Sequence, residues 1–127
     1  MKLSTLIFIM ALLSLLWGTG FILLPALMWS LYGLNLDASG IYVARELGTI
    51  FFTLGIILWL TRNNLGLKTQ RAMATSLFIG NLLGFVVTLI GQFSSGVNAM
   101  GWVGAMLYLL LALGFGYYTL KAPREAT

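Results

Sequence analysis

The sequence predicts an all-α fold: a polytopic membrane protein whose four transmembrane helices form an antiparallel bundle. Three observations predict it. Of the 127 residues, 60% are hydrophobic and only 8% charged, where a soluble domain carries about 25% charged residues. The apolar residues fall into four stretches, about 3–24, 40–60, 72–91 and 100–120. At 1.5 Å per residue, about 20 helical residues cross a hydrocarbon core of about 30 Å. The connections are short, which favours antiparallel neighbours. A single membrane domain, residues 1–127, accounts for the length.

The first stretch, residues 3–24, carries no charge. Lys2 before an apolar run also fits a signal peptide, but the run is longer than a usual h-region. No small-residue cleavage site follows Trp17, so a retained helix is expected. Pro25 removes a helical hydrogen bond and ends or kinks this span near Leu24. Residues 25–36 read as an interfacial turn or short helix, because Trp29 and Tyr32 suit the bilayer–water boundary. Gly33 and Asn35-Leu36-Asp37 supply turn chemistry, and Asp37 or Ser39 can cap the second span. Residues 61–71 form the one clearly polar connector, and residues 92–98 a short uncharged loop. The fourth span closes on Tyr117, Tyr118 and Lys121, followed by a polar tail, residues 122–127.

Four spans place Lys2, Arg62, Lys68, Arg71, Lys121 and Arg124 on one side, and the opposite loops hold neither Lys nor Arg. The positive-inside rule then makes both termini and the middle connector cytoplasmic. This placement accounts for the net charge of +4 as an orienting and lipid-facing feature. A nucleic-acid surface would need a basic face with interleaved aromatics, which the sequence lacks, so no nucleic-acid partner is expected. The lipid bilayer is the expected environment.

Lipid offers no hydrophobic drive for helices to associate, so small residues mark where backbones approach. The third span carries Ala72, Ser76, Gly80, Gly84 and Thr88 at intervals of four; the fourth carries Gly101, Ala105, Ala112 and Gly116. The second offers Ala44, Gly48 and Gly55, and the first Ala11, Ser14 and Gly18. These stripes serve either the bundle itself or a homo-oligomer or partner subunit, for which the Gly80/Gly84 and Gly101/Ala105 faces are the candidates. Asn81, near mid-span, is read as a structural polar residue making an interhelical hydrogen bond.

Arg45 and Glu46 are the charges that fall inside an apolar segment, where ionisable groups are costly. Arg45 can reach the outer headgroups or fold back towards Asp37. Glu46 is harder to place in lipid and is expected to face the bundle interior, sharing a helix face with Thr49 and Thr53. Counting depth along the other spans brings Thr19 and Thr88 to the same level, with Gln92 and Asn98 just above. Thr19, Arg45, Glu46, Thr49, Thr88, Gln92 and Asn98 thus form a candidate polar pocket opening outward. Its two readings are a binding or proton-handling site titrating through Glu46, and a charged helix start with a satisfied polar network.

Residues 17–62 resemble a pattern of small bacterial four-helix membrane proteins, broadly DoxX-like. Pro25, Leu31-Tyr32-Gly33-Leu34, Asp37-Ala38-Ser39-Gly40, Ala44-Arg45-Glu46-Leu47-Gly48 and Gly55 with Trp59-Leu60-Thr61-Arg62 carry the resemblance. It covers about a third of the chain and implies the four-span fold and a bacterial inner-membrane location. It carries over no catalytic residue; some relatives of this type are described as subunits of respiratory or redox complexes.

The sequence has no Cys and no His, which removes the thiol nucleophile, the commonest general base and the usual soft metal ligands. No catalytic residue, metal site or cofactor is therefore expected, and the chain is read as a non-enzyme. The favoured function is an accessory membrane subunit or a binder of a small apolar molecule. The alternative is a small proton-coupled transporter that uses Glu46 and works as an oligomer.

Overall fold

The structure is a computed structural model that describes residues 1–94 and 96–121. In chain order it contains α1 (Leu3–Leu23), α2 (Pro25–Ser30), α3 (Ala38–Thr61), α4 (Leu67–Ser94) and α5 (Gly101–Lys121). α1, α3, α4 and α5 are each long and apolar enough to cross a membrane, so the chain is a multi-pass membrane protein. Lys2, Thr61, Leu67 and Lys121 lie at one end of the bundle, here the terminal end; α2 and the α4–α5 turn lie at the other, the far end.

Helix ends extend past the apolar stretches. α3 begins at Ala38, where the Asp37 carboxylate accepts from the Gly40 amide at 2.7 Å. This settles the cap on Asp37 rather than Ser39, with the side chain satisfying an orphan amide. α4 already begins at Leu67 and runs through Ser94, so the polar connector is shorter than residues 61–71. Helical hydrogen bonds form as well in Lys68-Thr69-Gln70-Arg71 as in an apolar stretch; hydropathy marks the lipid-crossing part alone. The tail, residues 122–127 with Arg124, and Ser95 of the uncharged loop lie outside the described residues.

The bundle is two antiparallel pairs. In the first, α1 packs along α3 through glycines that let the backbones touch. A Cβ on Gly18 would stand 2.7 Å from the Phe52 nitrogen and 2.8 Å from the Gly48 oxygen. A Cβ on Gly48 would stand 2.8 Å from the Gly18 oxygen, so each glycine excludes a side chain from the other. Further along, Gly55 packs on Leu15 and the Ala11 carbonyl. In the second pair, α4 packs along α5: Tyr108 lies over Gly84, Phe78 over Gly116, and Gln92 over Gly101.

The pairs join along α1 and α5, while α3 and α4 do not pack along each other. Contact between the pairs is tightest at the terminal end, where Leu6 sits against Gly114. There Leu6, Ile7, Ala11, Leu58, Leu77, Leu111 and Phe115 form one buried cluster drawn from all four long helices. Arg62 closes that end by stacking over Phe8 and Trp59, at 5.2 and 5.1 Å from the ring centres.

The small-residue stripe of the third span is not the face α4 buries. Ala72, Ser76 and Gly80 are exposed, while Ala74, Leu77 and Asn81 point inward. A strict interval of four drifts by about 40° per step on a 3.6-residue helix. The stripe therefore starts outside the bundle and reaches the α5 contact only at Gly84. Gly101 and Ala105, expected to be available to a partner, are buried inside the chain's own fold.

Candidate functional site

At the far end the two pairs diverge and enclose a cavity of about 320 Å³. Its walls are Met10, Leu13, Ser14, Trp17 and Phe21 of α1, Leu47 and Phe51 of α3, and Val87 and Thr88 of α4. Gly104, Leu107, Tyr108 and Leu111 of α5 line it too, and Trp29 and Tyr32 complete it. Because α3 and α4 do not pack along each other, the cavity reaches the gap between them, where Val87 is exposed.

The proline break builds this cavity. α1 stops at Leu23, and Pro25 occupies the first turn of α2, where its missing amide costs nothing. α2 then folds back so that Met28 touches Gly20. The Trp29 ring stacks on Phe21 with centroids 5.0 Å apart, and Phe21 lies 6.0 Å from Phe51. A turn with Gly33 at φ +80° carries the chain out of this layer, a backbone conformation that side-chain-bearing residues rarely adopt. Tyr32 is buried, 5.4 Å from the Trp29 ring. These rings roof the cavity at the far end.

A few polar groups break the apolar wall. The Trp17 indole N–H donates to the Tyr32 hydroxyl at 3.2 Å, which leaves the Tyr32 O–H proton available to a further acceptor. Among the described residues, the Trp29 indole nitrogen is buried without a hydrogen-bond partner. The Thr88 hydroxyl turns back to the Gly84 carbonyl at 2.6 Å. Gly104 is where the wall is thinnest: a Cβ there would meet only a Thr88 methyl, at 4.0 Å.

The candidate polar pocket read from the sequence is not assembled. Of its residues only Thr88 lines the cavity. Thr19 is exposed. Gln92 donates to the Asn98 carbonyl at 3.0 Å, and Asn98 in turn bonds the Leu31 and Tyr32 carbonyls at 3.1 and 2.9 Å. These two amides tie the α4–α5 turn to the turn after α2 and are structural. Arg45 does not fold back to Asp37; it is exposed, and its Nε donates to the Ile22 carbonyl at 3.3 Å. Thr49 donates to the Arg45 carbonyl at 3.1 Å.

Glu46 is exposed rather than interior, and among the described residues its carboxylate has no hydrogen-bond or ion-pair partner. The reason is geometric. α3 gives Ala44, Gly48, Gly55 and Leu58 to the bundle, and Glu46 is about 200° around the helix from Ala44. Asn81 is buried and makes the expected bond across helices: its amide donates to the Met10 sulfur of α1 at 3.6 Å. The same amide donates at 2.7 Å to the Leu77 carbonyl of its own helix, and among the described residues its carbonyl oxygen is unpaired.

The residues missed from sequence are mostly aromatic. Trp17 and Tyr108 carry polar tips within apolar spans, and that position was the available signal; Trp29 and Tyr32 were read as boundary rings instead. Comparison with curated proteins and with solved structures gives no match. A family model does match over residues 1–120, and the chain belongs to that family, described as a domain of unknown function (DUF8292).

Proposed function

We propose that this protein binds a small, largely apolar molecule inside the membrane, in the cavity between its two helix pairs. The observation that carries this reading is the cavity itself. At about 320 Å³ it falls at the small end of the range for ligand sites, about 300–1,000 Å³, and has their usual apolar, aromatic lining with a few placed polar groups. The unpaired Trp29 indole donor and the Tyr32 hydroxyl suit a ligand with one or two acceptor atoms. The gap between α3 and α4 gives such a molecule a path from the bilayer without crossing water.

The basic terminal end supports an inner-membrane orientation with both termini cytoplasmic, which puts the cavity in the outer half of the bilayer. A transporter coupled through Glu46 would need that acid beside its substrate. Glu46 points away from the cavity, so its position lends that reading no support.

The test uses protein purified in mild detergent, extracted with solvent and examined by mass spectrometry, beside Gly104→Leu. Leucine at 104 has room to fill the cavity. A small apolar molecule enriched in the wild type and lost from Gly104→Leu is expected. Identical extracts from both, holding bulk lipid alone, would refute the proposal.

A further inference from the structure

The outward face of α3 carries a pattern that the bundle leaves unused. Tyr42, Glu46, Thr49, Thr53, Ile56 and Leu60 recur at alternating intervals of four and three, and every one of them is exposed. That spacing is the 3.5-residue seam of a left-handed helix pair. It lies opposite the face that packs on α1, and α3 is the edge helix of its pair, with no long helix on its other side. Within this seam sits the unpartnered carboxylate of Glu46. The helix begins at Ala38, so Glu46 lies about 12 Å along it, below the headgroup layer. An unpaired acid facing lipid there is costly.

We propose that this face is the interface of a symmetric homodimer in which Arg45 of each copy pairs with Glu46 of the other. All copies of a membrane protein insert the same way, so a two-fold axis relating them runs along the membrane normal and their α3 helices run parallel. Arg45 and Glu46 flank the contact direction on opposite sides at nearly one depth. A two-fold rotation brings the residue on one flank to the opposite flank of its copy. In a parallel seam, Glu46 as knob enters a hole made by Tyr42, Arg45, Glu46 and Thr49 of the second copy. Two guanidiniums then balance two carboxylates, with the Tyr42 hydroxyl as a further donor. Among the described residues of one chain, Arg45 uses only its Nε, on the Ile22 carbonyl, which leaves its two terminal nitrogens for this pairing. The second copy is favoured over an unrelated helix because this chain itself supplies the complementary charge at the right depth and on the right flank.

The chain has no cysteine, so single-cysteine variants report cleanly. Thr53→Cys and Thr49→Cys, oxidised in native membranes, should give disulfide-linked dimers, whereas Val43→Cys and Gly80→Cys, exposed off the seam, should not. On the Thr53→Cys background, Arg45→Glu should cut cross-linking at least tenfold, and adding Glu46→Arg should restore it. Cross-linking indifferent to face, a charge swap that fails to rescue, or a Thr53→Cys adduct with the mass of another protein would each overturn the proposal. Thr53→Cys leaves both charges in place, so it remains informative if the charge variants fail to insert.

Discussion

The two halves of this bundle are built from the same helices and end differently. At the terminal end, Leu6, Ile7, Leu58, Leu77 and Phe115 interdigitate, and the pairs meet through Leu6 on Gly114. At the far end the same α1 and α5 are held apart, and rings from six separate positions surround a space they do not fill. The difference lies in residue type. In the terminal half, mostly aliphatic side chains of adaptable shape close around the single buried ring of Phe115. In the far half, Trp17, Trp29, Tyr32 and Tyr108 are rigid plates that line a void without filling it. Interiors pack to crystal-like density, so a void lined by aromatics with unpaired polar tips is a feature to be explained by what enters it.

Four substitutions probe that comparison, from the largest effect to the smallest. Gly48→Leu would force side-chain atoms into the Gly18 backbone, which cannot yield. A loss of about 4 kcal/mol or more is expected, seen as aggregation on size-exclusion chromatography in detergent. Next, Phe115→Ala in the packed half should cost about 3 kcal/mol in a denaturation series. Leu107→Ala, which only enlarges an existing cavity, should cost about a third as much. Equal losses would mean that the two halves are packed alike. Smallest is Asn81→Leu. It removes an orphaned carbonyl oxygen together with one bond made within its own helix and one weak bond to the Met10 sulfur of α1. Stability should stay within about 1 kcal/mol of the wild type; a larger loss would show that the bond to Met10 ties α4 firmly to α1.

The spans were legible in the sequence because hydropathy over about 20 residues has no other common meaning. The α1–α3 contact was half legible. Gly18, Gly48, Gly55 and Ala11 stood out as small residues, but which helices they joined depends on register that no single chain states. The third span misled because equal intervals of four look like one face and are not. Glu46 misled for a subtler reason. The rule that acids avoid lipid holds for the finished assembly, and one chain folded alone is free to leave an acid outside. The cavity was not legible because it depends on where α2 folds back, which Pro25 permits without specifying.

The most direct test of the cavity as a binding site is a thermal-unfolding titration. Delipidated wild-type protein and Gly104→Leu would each receive the apolar fraction extracted from wild-type preparations. A ligand that binds only the folded state raises Tm by mass action. The wild type should rise saturably by several degrees. Gly104→Leu should start higher, because it gains helix propensity and fills space, by about 1 kcal/mol, and should not respond. A wild type that does not shift, or two proteins that shift equally, would contradict the account.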